Sequence, residues 1–350
     1  MKTFFDYIFV EPFPTVWMIQ DLIAIALSIY VLIIIFKREK RPAIVLLEAI
    51  CFIFLYASIY ENAAVVMGLY SYGRSLVMIG YIPASVPLLE ACVMITGLWF
   101  LEKTSLPTWA KPPIIGLFGM LQDFSLDPLA IRQVFHMAGT ETGRWNWLIN
   151  PATTPNILHI PVFNFPGWML IMLYGSGCLL VGRWWYKRSG YKTWVGYLYP
   201  FLSMIVALLF MISPISNFLL WLGPLFQKGS VAEWIMLGFH LIVPTALLIF
   251  LWRGRMTARF TREDLPIFIF PITLHLSDIL FTLIGGYTEI LWLVLLASAV
   301  QIGFLAFAYF ANRRQFSPTP APQYPVKHDS AISAIDFLLC RPCKESLNEV

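Results

Sequence analysis

Nine runs of about 20 mostly apolar residues divide this 350-residue chain, at roughly 14–36, 42–60, 77–101, 112–130, 161–185, 196–221, 234–252, 265–284 and 290–310. Each is long enough to cross the roughly 30 Å hydrocarbon core of a bilayer as a helix. Lipid offers the backbone no hydrogen bonds, so a run of this kind has few alternatives to helix. Hydrophobic residues make up 59% of the chain and charged residues 13%, a balance that excludes an ordinary soluble domain. We therefore expect an all-α, polytopic integral membrane protein with one membrane domain over 1–316 and a Pro-rich cytoplasmic tail over 317–350.

Lysine and arginine follow the alternation of the runs. With the N-terminus outside, sixteen fall in inner loops, among them Lys37, Arg38, Arg183 and Lys187, and five in outer segments, among them Arg132 and Arg144. Short cytoplasmic loops collect positive charge, so this pattern predicts an outside N-terminus and an inside C-terminus. The net charge of +4 is then a topology signal, and nucleic acid is not an expected partner. Asp6 and Glu11 precede the first run where a cleavable signal would carry positive charge, so the run is expected to stay as a span.

Cys51, Cys92 and Cys178 lie inside spans and imply no disulfide framework. Cys340 and Cys343 form a C-x-x-C in the tail, half of a four-ligand zinc site, open to palmitoylation or to no modification at all. His240, His275 and the other histidines show no H-E-x-x-H or 2-His-carboxylate spacing, so no metal is expected. No phosphate-cradling glycine loop, nucleophile elbow or dinucleotide fingerprint appears in a suitable context.

The residues that can carry chemistry converge on the outer half. Asp123 and Asp127 are four apart on the fourth run, on one helix face if the helix passes Pro128, which is expected to disfavour helix at Asp127. Glu61 closes the second run, ahead of a turn carrying Gly68, Tyr70 and Tyr72. Trp145, Trp147, Asn164 and Trp168 follow in the long 131–160 connection and the start of the fifth run. An ionisable group in a bilayer costs roughly 2.5–3.5 kcal/mol on insertion scales, which makes each acid a candidate for function. The competing readings are a structural cap for Asp127, a hydrogen bond between helices for Asn164 and ordinary aromatic belts for the indoles. Glu48 and Glu90 read as internal polar contacts, with Pro83, Pro87 and Glu90 near the midplane of the third run. His275 and Asp278, three apart on the eighth run, form either a proton relay or a polar helix contact.

The ordered set resembles the carotenoid-biosynthesis membrane protein family, which includes carotenoid hydratases acting on terminal isoprenoid double bonds. It is carried by Glu61 with Gly68, Tyr70 and Tyr72, by Ile82-Pro83 to Pro87-Leu88, by Asp123 with Asp127 and Pro128, by Trp145-Asn146-Trp147, and by Pro161 through Trp168, over roughly residues 45–185. The resemblance implies a prokaryotic plasma-membrane enzyme that adds water to an acyclic polyene end group without a cofactor, beside membrane lipid and other carotenoid enzymes. Such chemistry starts with proton transfer to carbon from a buried carboxylic acid, here Asp123 or Glu61. Trp145, Trp147 and Trp168, with Tyr70 and Tyr72, would line the polyene end and the resulting cation, while Asn164 or Asp127 would position the water. Two other readings stay open: a proton-coupled transporter using the same acids with His275 and Asp278, and a non-catalytic lipid or carotenoid carrier.

Overall fold

A computed structural model describes residues 14–137, 140–255, 260 and 264–311. The N-terminal acids Asp6 and Glu11 and the whole tail, with Cys340 and Cys343, lie outside them. Among the described residues, nine helices are long and apolar enough to cross a membrane, and the protein is a multi-pass, all-α integral membrane protein.

In chain order the helices are α1 (Thr15–Arg38), α2 (Pro42–Cys51), α3 (Ser58–Val66), α4 (Ser85–Glu102), α5 (Lys111–Arg132), α6 (Asn164–Arg188), α7 (Thr193–Met211), α8 (Pro214–Trp221), α9 (Ala232–Arg255), α10 (Leu265–Ile284) and α11 (Thr288–Ala311). A π-helical turn, Phe52–Ala57, joins α2 to α3 as one span. Successive spans alternate in direction. Short strands gather at one end, which we call the lid end: β1 (Tyr70–Tyr72), β2 (Met78–Ile79), β3 (Ile82–Pro83), β4 (Val134–Met137), β5 (Thr140–Gly143), β6 (Trp145–Trp147), β7 (Asn156–Ile157) and β8 (Ile160–Pro161). The opposite end carries Arg38, Lys103, Arg183 and Arg188, and we call it the basic end.

Helices α4 and α5 are the most buried, and α1 and α9 the most peripheral. The main core is aromatic and aliphatic, built on Phe52, Tyr56, Trp99 and Phe100. Helix α5 packs closely along α6 because Gly116 and Gly119 face it. A Cβ at Gly116 would stand 2.7 Å from the Met169 side chain, and one at Gly119 2.6 Å from that of Met172. Small residues let helix backbones approach in this way, and the approach sets α5 against the start of α6 where Asn164 stands.

Three expectations need correction. The third span begins at Ser85, eight residues later than the apolar run, because Met78–Ile79 pairs antiparallel with Ile82–Pro83. Gly80 turns that hairpin at φ +65°, and Asn62 grips it by accepting from Tyr81 N–H at 2.7 Å and donating to the Ile79 carbonyl at 3.0 Å. Pro83 is therefore in a strand, and Glu90 lies in the lid half of α4 instead of at the midplane. The sixth run breaks after Met211 into α7 and the short α8. Helix α5 continues through Pro128 to Arg132, so Pro128 removes one backbone donor without ending the helix.

Candidate functional site

The lid is one sheet assembled from two distant loops. Gly68, at φ +74°, ends α3, its N–H donating to Val65 O and that of Leu69 to Ala64 O. The chain then turns into β1, which pairs antiparallel with β6, setting Tyr70 opposite Trp147 and Tyr72 opposite Trp145. Tyr72 and Trp145 stack at 5.3 Å, Trp145 and Trp147 at 5.6 Å, and Tyr70 meets Trp147 edge-on at 4.8 Å. Trp145 is only 6% exposed, so it is no belt residue. Exposed indoles near the span ends come instead from Trp194, Trp234 and Trp292.

Asp21 of α1 anchors this lid. Its carboxylate pairs with Arg144 at 3.0 Å and accepts from Ser75 Oγ at 2.6 Å, Leu76 N–H at 2.9 Å and Ser85 Oγ at 3.1 Å. Arg144 also donates to Gln20 Oε1 at 2.7 Å. Asp21 is absent from the sequence-based candidates, because nothing local to the first apolar run reveals a partner 123 residues away.

Below the lid lie four buried carboxyls. Glu61 accepts from Tyr70 Oη at 2.6 Å and Tyr72 Oη at 2.9 Å. Both phenols are pushed well above their ordinary pKa by burial first and then by the nearby Glu61, so they remain O–H donors. Asn164, at the head of α6, gives its amide N–H groups to Asp123 Oδ2 at 2.8 Å and to Asp127 Oδ2 at 2.6 Å. The Oδ1 atom of each aspartate is buried with no donor from another residue. One amide nitrogen thus holds the two carboxyls side by side. Glu90 accepts a short hydrogen bond from Tyr60 Oη and sits within electrostatic range of both Glu61 and Asp123.

Among the described residues none of these four acids has a cationic partner. Burying unpaired charge costs several kcal/mol per ion, so a cluster like this retains protons. Among the described residues, no group of three or more His, Cys, Asp or Glu can hold a metal ion.

Glu61, Asp123, Asp127, Asn164, Tyr70, Tyr72, Trp145 and Trp147 thus come together as one neighbourhood. Trp168, on α6, lines a cavity of about 70 Å³ together with Tyr72, Trp145 and Asp278. Glu90 and Tyr60 are additions, and the later start of α4 is what brings Glu90 in. Asn164 makes a hydrogen bond between helices, one of the two readings its sequence position allowed, with its N–H groups clamping the two aspartates of α5. His275 and Asp278 share α10 yet make no hydrogen bond to one another. His275 faces Gln301 at 2.9 Å and Ser298 at 3.1 Å on α11, while Asp278 accepts from Gln122 at 3.0 Å and Ser125 at 2.7 Å on α5.

No known protein family, curated protein or solved structure matches this chain. The site has to be read from its own chemistry. Two carboxyls on one amide clamp, each with one oxygen unclaimed by another residue, suit a proton donor set beside a proton acceptor. Stacked aromatic faces beside them can stabilise a transient cation.

Proposed function

We propose that this protein is a carotenoid hydratase of the prokaryotic plasma membrane, adding water across the terminal isoprenoid double bond of an acyclic polyene. The observation that carries the reading is the Asp123–Asn164–Asp127 arrangement, an acid pair with no counter-cation among the described residues, under an indole and phenol lid. In this reading Asp123 gives its proton to the less substituted alkene carbon. A C–H bond forms as the π bond breaks, leaving a tertiary carbocation. Water then bonds to that carbon through oxygen, and the resulting oxonium proton passes to Asp127. Transfer from Asp127 back to Asp123 restores the acid, so substrate plus water is the whole stoichiometry and no redox partner is needed. Trp145 and Tyr72 face the cation, and Glu61, held by two phenols, and Glu90 keep further protons within the cluster. The polyene body remains in lipid while its end meets the polar site.

The orientation belonging to this reading places the basic end in the cytoplasm and the lid outside, following the inner-loop lysines and arginines. A tag after Val350 should resist external protease in sealed cells, and cleavage there would reverse the placement.

The deciding experiment expresses the protein in a host that makes acyclic or half-cyclised carotenoids and weighs the pigments. The expected product gains about 18 mass units, one water added at a terminal unit. Polyene bound with unchanged mass would instead support a carrier, and pH-gradient-driven uptake a transporter. The transporter has less support, because the hydrogen bonds of His275 and Asp278 run to different helices.

A further inference from the structure

Hydration needs water as a reactant, and the acid pair itself is sealed, with Asp123, Asp127 and Glu90 all fully buried. A second route is written into the faces of α5. At about 100° per residue, Leu126, Leu129, Ala130 and Gln133 form a stripe beside the Asp123/Asp127 stripe. That stripe borders the 70 Å³ cavity, whose polar wall includes Asp278, Arg144 and Tyr72. The volume is under half the roughly 150 Å³ that holds benzene in an engineered cavity and several times the roughly 10–15 Å³ that one water needs. It is too small for a polyene end group with its chain.

A second cavity of about 190 Å³ lies nearer the lid-end surface, between the start of α1 and the end of α10, with Trp17, Phe135, Ile284 and Tyr287 in its wall. Ile284 is 66% exposed, so this vestibule opens on the surface. Gln133 and Phe281 are common to both walls. Gln133 is 3% exposed, and neither its amide nitrogen nor its amide oxygen has a hydrogen-bond partner in the protein. The indole N–H of Trp145, in the wall of the inner cavity, is likewise unpartnered. Buried amides are rarely left unsatisfied, and a donor and acceptor together at a junction between two cavities suit a passing water. Asp278 adds an acceptor there, since Gln122 and Ser125 both use its Oδ2 and leave Oδ1.

We propose that the vestibule, Gln133 and the inner cavity form a water-access route from the lid-end surface to the acid cluster, with Gln133 as the residue that passes water inward. Water leaving the inner cavity reaches the cluster at Tyr72, which donates to Glu61. Water then enters along α1, α5 and α10. The purpose given to the route rests on the hydratase reading, whereas its wetness is measured without any substrate.

The test is hydroxyl-radical footprinting of the full chain in lipid nanodiscs, read by mass spectrometry. Leu129 and Leu274, buried in the inner cavity wall, should label about tenfold faster than Leu98 and Leu101, which are similarly buried and line neither of the two cavities, because only the first set meets exchanging water. Gln133→Leu should abolish that excess while leaving Phe135 and Tyr287 of the vestibule unchanged. Gln133→Asn, which keeps an amide, should retain much of it and shows that the fold tolerates change at this position. Inner-cavity leucines that label no faster than Leu98, or an excess untouched by Gln133→Leu, would overturn the route. A route that behaves as described without hydration of any polyene sinks the hydratase reading alone. Hydration at the parental rate in Gln133→Leu sinks the route alone.

Discussion

The two ends of the bundle bury acids in opposite ways. At the basic end each buried acid has a cation. Glu48 is chelated by Arg183 at 2.7 and 2.5 Å and accepts from Tyr199, Arg183 also pairs with Glu102, and Asp264 lies between Arg38 at 2.8 Å and Lys103 at 3.0 Å. At the lid end Glu61, Glu90, Asp123 and Asp127 are equally buried and, among the described residues, are held by phenols and one amide. Neutral donors satisfy lone pairs without cancelling charge. The first arrangement ties helices together, and in the hydratase reading the second stores protons. The Asp21–Arg144 pair shows that the lid end can neutralise an acid where structure alone is required, which makes the absence of a cation at the other four more telling.

The contrast is open to direct attack by substitution. Asp123→Asn keeps the shape and the contact with Asn164 but has no proton to give, so hydration should fall about 10³-fold, within the range for losing a general acid. The amount of folded protein should hold steady. Undiminished product from the folded variant would remove Asp123 from the mechanism and blur the distinction between the two ends.

Glu48→Gln should act in the other currency. It strips the fully buried partner from Arg183, which is 22% exposed and keeps Glu102, so the cost should sit near the low end for a broken buried pair, roughly 3 kcal/mol. Thermal unfolding monitored in detergent should shift down, while turnover per folded molecule stays near parental. A selective loss of turnover at unchanged stability would mean that the basic end also does chemistry.

Tyr72→Phe makes the smallest change. It removes one of two phenol donors to Glu61, about 1 kcal/mol or roughly fivefold. Product formation should drop by that order with thermal stability barely moved, since Tyr70 still donates. A drop as large as that of Asp123→Asn would make Tyr72 part of the proton path in its own right.

The membrane fold was legible because lipid leaves an apolar run of this length little option but helix, and the spans matched within a few residues except where another local force intervened. Val77 to Tyr81 reads as apolar, yet Gly80 and Asn62 fold it into a hairpin. Pro128 reads as a helix end, yet it costs one hydrogen bond in a helix packed on several sides, and packing prevails. At the site, Glu61, Asp123 and Asp127 were visible as residue types out of place in a bilayer, with Tyr70, Tyr72 and the tryptophans beside them, whereas Asp21 and Tyr60 were not.

Their relations were not visible. The sequence by itself determined a multi-pass helical protein, because apolar length and charge alternation act along the chain and need no partner. Tertiary structure alone decided which acids would be neutralised and which left with their protons. Glu48 finds Arg183 135 residues away, Asp123 finds Asn164 41 away, and Glu90 finds Tyr60 30 away on another span. The energy of a buried carboxyl depends on the groups within a few ångströms of it, and those are set by helix packing rather than by neighbours in the chain.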